Sequence, residues 1–313
     1  MGIQVVRFRD SQGIRWGTVA GDEIHVIPGG YPTLADMLAS RGQVTWSGDE
    51  TVKRTDVTWL SPVTVPSRIV CQGANYSSHR AEAGFEPQRP DFNLIFMKAD
   101  SSLTGAESEI VRPEGVRLLD YEVEVGLVIK SPLTKRTVVT AENFLEYVAG
   151  IVIANDVSAR DVQLLEGQWL KGKSFRTFCP TGPYLYLFDE GEAAVVHNLE
   201  LKLFVNGELR QSAHTSQLLF KPEETLTELS GVMDLAPGDL ILTGTPGGVA
   251  LNLKPDELSV LSNSTVAYAE KEGVLLSSQS KRTQYLSAGD EVVCEVKTLD
   301  GRVDLGVQRN RVV

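Results

Sequence analysis

Cysteine is scarce: Cys71, Cys179 and Cys294 are the only three in 313 residues. They are odd in number and far apart, which excludes a disulfide scaffold and points to unpaired thiols in a reducing compartment, with the cytoplasm as the default. Basic charge is also short. The formal net charge of -11 excludes a general affinity for nucleic acid, whose phosphates demand a basic surface, and no local cluster of Lys and Arg makes an exception. The longest apolar stretch, around Tyr147 to Ala154, falls far short of the roughly 20 residues that cross a bilayer, so no membrane span is expected. Met1 to Asp10 alternates apolar and polar residues like a strand and lacks the apolar core of a signal peptide. There is no phosphate-binding P-loop, G-x-S-x-G elbow, H-E-x-x-H or dinucleotide fingerprint, and no internal repeat.

What remains is an ordinary globular composition, 42% hydrophobic and 23% charged, that can bury a large core. Short alternating segments separated by glycine turns fill residues 1–62, with one helical pattern from Thr33 to Ser40 that Thr33 can cap. A linker near Ser61 to Pro66 leads into a main domain over 67–313. Strands are expected at 94–98, 119–130, 149–154, 183–188, 199–205, 239–243 and 290–297, and helices at 140–147, 157–166 and 222–231. Residues 83–93, rich in Gly and Pro, read as a mobile loop. Without regular βαβ alternation, the fold class is a β-dominated α+β fold.

One strand poses a question of charge. In Leu118 to Ile129 (LLDYEVEVGLVI), Glu122 and Glu124 share one face while Tyr121, Val123 and Val125 share the other. Two like charges in an apolar strand require either a wet face or a positive partner between them. Asp156, at the end of the apolar run before it, is either a third carboxylate of an all-oxygen site suited to Mg²⁺, Mn²⁺ or Ca²⁺, or the cap of the following helix. Asp156, Arg160 and Gln163 follow at i, i+4 and i+7, which makes either the wall of an acid-binding site or a solvated stripe. His79 and Glu82, at i and i+3, are within reach of each other across one helical turn, as a general-base dyad or as a surface pair. Lys173 beside Gly172 is either an oxyanion-stabilising cation or a loop lysine. The turn Gly244 to Gly248, with Thr245, is either a carboxylate cradle or a structural turn.

Taken in order, G-x-N-Y-x-x-H-x-x-E (Gly73 to Glu82), L-D-Y-E-V-E (Leu119 to Glu124), N-D-V-S-A-R-D-V-Q (Asn155 to Gln163), G-K-S-F (Gly172 to Phe175) and T-G-T-P-x-G-V (Thr243 to Val249) resemble the fumarylacetoacetate hydrolase family. The resemblance runs over residues 67–250 and resumes at Gly289 to Val296. It implies a mixed β-roll with a smaller N-terminal β domain, assembled as a homodimer. It further implies Mg²⁺ or Mn²⁺ on Glu122, Glu124 and Asp156; a water-activating dyad of His79 and Glu82; Lys173 on the oxyanion; and Asn75, Tyr76, Arg160, Gln163 and Thr245 around a small anionic 2-oxo acid. The reaction implied first is hydrolysis of a carbon–carbon bond in a 2,4-dioxo acid. Decarboxylation of oxaloacetate and isomerisation of a dienoate follow through the same enolate, and a metal-binding scaffold without turnover is the non-enzymatic alternative. Two features depart from the family pattern: Arg176 after G-K-S-F, and residues 251–287, which stand where a short connection is usual.

Overall fold

The computed structural model describes residues 1–40, 46 and 48–313. Most of its regular structure is strand, arranged in two main sheets. The larger one runs, edge to edge, through Thr51–Lys53, Glu23–Val26, Gly13–Ala20, Ile3–Asp10, Cys179–Leu187, Val148–Asn155, Val123–Ile129, Leu240–Leu242, Ile69–Gly73 and Leu94–Lys98. The N-terminal strands therefore continue this sheet, through the antiparallel pairing of Ile3–Asp10 with Cys179–Leu187. The second sheet orders Glu208–His214, Leu199–Val205, Glu291–Thr298 and Asp304–Arg311.

The two faces of the Val123–Ile129 strand explain where the carboxylates lie. Val123, Val125, Leu127 and Ile129 enter one apolar cluster together with Leu199, Leu201 and Val296 of the second sheet. The opposite face sends Val128 into another cluster with Cys71, Val152, Ala154, Leu240 and Leu242. Both faces are covered, which is why the segment reads as a near-continuous apolar run. Glu122 and Glu124 belong to the second face, and at 4% and 1% exposure they are buried, so the wet-face reading fails.

Several expected elements are shorter than their sequence pattern. The 119–130 strand is interrupted: Leu119–Asp120 pairs separately with Ser158–Ala159, and the long strand starts at Val123. The 157–166 helix begins only at Arg160, because Ser158–Ala159 are held in that small ladder. The 140–147 helix is reduced to Phe144–Tyr147. The Thr33 helix is as expected, with Thr33 and Asp36 forming a reciprocal capping box. Residues 83–93 contain no helix or strand but are tied down, with the Arg89 guanidinium stacked over the Phe220 ring and paired to Glu224 at 2.8 Å. Residues 251–287 carry two helices, Pro255–Ser262 and Tyr268–Gln279. No described helix is long and apolar enough to cross a membrane.

Candidate metal and substrate site

Antiparallel register builds the carboxylate cluster. Val123 pairs with Asn155, so the next residues outward, Glu122 and Asp156, face each other where the two strands end, joined by the Asp156 N–H donating to the Glu122 carbonyl at 2.8 Å. Glu122, Glu124 and Asp156 each offer an oxygen, all within 4.8 Å of one another. Glu124 Oε2 accepts the Gly244 N–H at 2.7 Å. Gly244 sits at φ +92°, and a Cβ there would come 2.7 Å from Asn75 Cβ, so the turn that delivers this donor requires glycine.

Three buried cations face these acids. Lys98 Nζ lies 2.5 Å from Asp156 Oδ1. Lys173 Nζ bridges Asp156 Oδ2 at 2.7 Å and Glu122 Oε2 at 2.9 Å. Arg160 donates Nε to Asp120 Oδ2 at 2.8 Å and Nη1 to Gln163 Oε1 at 3.0 Å. Its Nη2 approaches Glu122 Oε1 to 2.6 Å as an ionic contact, with the N–H bonds not aligned for a hydrogen bond. Burial alone would raise the Glu122 carboxyl, but Lys173 and Arg160 outweigh it and hold the group down at about 2. Glu124 goes the other way: burial, then the neighbouring Asp156 and Glu122 charges, push it well above the ordinary carboxylate range.

The donor set fits a divalent metal. Counting Asp120, four buried carboxylates oppose three buried cations, leaving one negative charge unmatched when all are ionised. A divalent cation on Glu122, Glu124 and Asp156 turns that deficit into one positive charge, suited to an anionic substrate. All-oxygen ligation selects Mg²⁺, Mn²⁺ or Ca²⁺ over zinc. The buried Tyr76 hydroxyl, close enough to feel the Glu124 charge, has no hydrogen-bond partner among the described residues.

The remaining expected residues separate into two groups. His79, Glu122, Arg160, Gln163, Lys173 and Thr245 line a common cavity of about 530 Å³. Asn75 and Tyr76 do not line it. The Asn75 amide is consumed by the Phe220 and Thr243 carbonyls and the Phe220 N–H, so it joins two loops instead of meeting a ligand. The His79–Glu82 contact is not formed either. Both Glu82 oxygens accept the Gly248 N–H at 2.9 Å, and His79 Nδ1 has no partner among the described residues. Burial, with Arg160 and Lys173 acting against the Glu122 charge, lowers the His79 imidazole to about 4, so it is neutral at physiological pH. Arg176 is exposed and outside the cavity lining.

Sequence reasoning missed Lys98, Asp120 and Gln72. Lys98 closes the apolar strand Leu94–Lys98 and is 2% exposed, a cation that only a buried acid can explain. Asp120 has the same parity as Glu122 and Glu124, so the two-residue period had already placed it beside them. Gln72 lines the cavity with its Oε1 unpartnered among the described residues. Lys173 is positioned by a close approach: a Cβ on Gly172 would lie 2.7 Å from Gln163 N and 2.9 Å from Ala159 O, so only glycine lets the short helix Trp169–Lys173 pack this near Arg160–Leu165.

Comparison with known proteins gives this arrangement its kin. The family model described as "Fumarylacetoacetate (FAA) hydrolase C-terminal" matches residues 68–313, and "Rv2993c-like, N-terminal" matches residues 4–62. The mitochondrial oxaloacetate tautomerase Fahd2a of Rattus norvegicus is 38% identical over 264 residues, covering 84% of this chain and 71% of that protein. Among solved structures, the fumarylacetoacetate hydrolase of Exiguobacterium antarcticum aligns with a TM-score of 0.73 at 31% identity over 99% of both chains. A 5-carboxymethyl-2-hydroxymuconate delta-isomerase from Mycobacterium smegmatis aligns at 0.72 and 28%, again over 99% of both chains. With its carboxylate cluster set at paired strand ends and its C-terminal four-fifths matched by one family model, the chain belongs to the fumarylacetoacetate hydrolase family.

Proposed function

We propose that this chain is a divalent-metal-dependent enzyme that moves a proton between carbon and oxygen in a small 2-oxo acid, as a keto–enol tautomerase or isomerase. The observation that carries the reading is the state of His79. Its neutral imidazole lines the cavity, while Glu82, the partner needed to orient it toward a water, is held by the Gly248 N–H. Proton transfer needs one group that can take and return a proton, whereas hydrolysis also needs a positioned, activated water. Relatives named as tautomerase and isomerase support the same choice.

Glu122, Glu124 and Asp156 would hold Mg²⁺ or Mn²⁺, which would supply Lewis-acid charge to a bound 2-oxo acid. His79 takes the proton from C3, the C–H electron pair moves into the C2–C3 bond, and the keto oxygen gains the negative charge. His79 then returns the proton to that oxygen, giving the enol. Lys173 and Arg160 provide fixed positive charge as the oxyanion develops. Gln163, with Oε1 turned to Arg160, keeps its amide nitrogen without a partner among the described residues, for a substrate carboxylate.

Hydrolysis of a 2,4-dioxo acid is the second reading, favoured by His79 and Glu82 standing one turn apart on the helix Ser77–Glu82. Ultraviolet absorbance separates the two. With Mg²⁺, enol–keto exchange of oxaloacetate should accelerate, EDTA should abolish the effect, and acetylpyruvate should release no pyruvate. His79→Asn should lose at least a hundredfold in exchange rate, the scale of a general base, while keeping metal-dependent thermal stabilisation. Exchange that is unaffected by His79→Asn, or pyruvate release faster than exchange, would refute the reading.

A further inference from the structure

The cavity beside the carboxylates changes character along its length. At about 530 Å³ it lies within the range of sites that enclose drug-sized ligands. Its polar part is the set that includes His79, Arg160, Gln163 and Lys173. Leu164, Leu165, Leu251, Leu253, Leu258 and Leu261 make up much of the rest, with Ser262, Ser264, Glu166 and Lys271 among the other lining residues. The helix Arg160–Leu165 makes the transition, since its first turn carries Arg160 and Gln163 and its end carries the two leucines. Leu258 and Leu261 are three residues apart on Pro255–Ser262 and so share a face.

This wall is fixed before any ligand arrives. Leu165, Leu251, Leu253 and Leu261 pack with Leu118, Val249 and Leu275 in a small core of their own, which ties both helices of 251–287 to the helix Arg160–Leu165. Phe96 and Trp169 meet edge to face at 5.1 Å and also line the cavity. Few charges reach the apolar part. Glu166 is paired to Lys171 at 2.6 Å, which leaves Lys271 as the cation without an ion pair there among the described residues. A carboxylate passing the leucines would lose hydration with little return, whereas a hydrocarbon chain gains at every methylene.

Building on the 2-oxo acid reading of the polar end, we infer that the substrate carries an uncharged hydrocarbon tail that lies between the helices Arg160–Leu165 and Pro255–Ser262. A four-carbon diacid such as oxaloacetate fills the polar end and leaves the leucine wall unused. Leu258 and Leu261 are then the residues that set specificity for tail length.

Unreactive oxamates test this without turnover. With Mg²⁺-supplemented protein, calorimetry compares oxamate, N-propyl oxamate, N-hexyl oxamate and the hexyl compound's analogue ending in a carboxylate. Each buried methylene should tighten binding about threefold to fourfold, so the hexyl compound should bind more than tenfold tighter than the propyl one. The carboxylate-ended analogue should lose that gain. Leu258→Asp should shrink the hexyl-to-parent ratio at least fivefold, and Leu258→Ala should shrink it less, which keeps the test valid if the charged variant folds poorly. Affinity independent of chain length, or tightest binding by the carboxylate-ended analogue, would overturn the inference while leaving the 2-oxo acid reading intact. Failure of every oxamate, parent included, would overturn both.

Discussion

Asp120→Asn removes one charge and almost no volume, yet it should be among the most destabilising single changes in the chain. Each carboxylate oxygen receives two donors: Oδ1 takes Tyr121 N at 2.9 Å and Ala250 N at 2.8 Å, while Oδ2 takes Leu251 N at 3.0 Å and Arg160 Nε at 2.8 Å. An asparagine amide has one acceptor and one donor group, so whichever way it is turned, two N–H groups meet an NH₂. Each buried group left unsatisfied costs about 1 to 3 kcal/mol, and removing one partner of a buried ion pair costs about 3 to 5 kcal/mol in all. We expect a loss of about 3 to 5 kcal/mol, which for a chain of this size lowers Tm by roughly 5 to 8 °C. Scanning calorimetry with EDTA present, so that metal binding does not contribute, measures it. Asp161→Asn is the control: its Oδ2 accepts Arg117 N at 2.8 Å and its Oδ1 has no partner among the described residues, so an amide nitrogen fits at Oδ1 at little cost. A Tm change below about 2 °C for Asp120→Asn, or equal changes for the two variants, would refute the claim that Asp120 is the buried joint between Arg160 and the start of the leucine wall.

Gly172→Ala should push the Lys173 helix away from Arg160–Leu165, destabilising the fold by about 1 to 3 kcal/mol and lowering kcat at least tenfold; wild-type kcat in a folded variant would show that Lys173 does not need this packing. Mg²⁺ or Mn²⁺ binding needs Glu124 ionised, so it should release a proton and should tighten as pH rises toward the raised value of that carboxyl. Titration calorimetry in buffers of different ionisation enthalpy measures that proton, and Glu124→Gln should eliminate both the release and the metal-dependent rise in Tm.

The parts of the site that were legible in the sequence are those governed by chain periodicity. A period of two put Glu122 and Glu124 on one face, and the helix Arg160–Leu165 brings Arg160 and Gln163 to one cavity. Periodicity cannot say what lies on the other side of a face. Whether Glu122 and Glu124 were wet or buried depended on the strands Val148–Asn155 and Leu240–Leu242 that flank theirs, and Lys98 arrives from the strand Leu94–Lys98 at the sheet edge. The His79–Glu82 spacing gave proximity without orientation. A competing donor far along the chain, Gly248 N, took the carboxylate. Asn75 shows the same limit, its amide spent on Phe220 and Thr243. The leucine wall had no periodic signature, since it assembles from the end of one helix, an irregular stretch at Leu251 to Leu253 and a face of another helix.

Charge explains why such a costly cluster is placed in the core. In the metal-free protein Glu124 is pushed well above the ordinary carboxylate value of 4.5 by burial and by Asp156 and Glu122, so it keeps its proton where the unfolded chain has lost it. The native state then binds more protons than the unfolded one, and stability contributed by this group is complete below the unfolded value and is lost as pH rises through the folded value. A divalent cation reverses the sign, because it needs Glu124 ionised and repays that ionisation directly. Lys98 and Lys173 pair with Asp156, Lys173 also holds the Glu122 carboxyl down, and Glu124 is the acid pushed up that the metal must deprotonate. The cluster is therefore balanced when it is protonated and metal-free, and it carries one positive charge when it is ionised and loaded. That second state is the one that attracts an anionic 2-oxo acid, so metal binding, proton release and substrate affinity follow from a single count of buried charges.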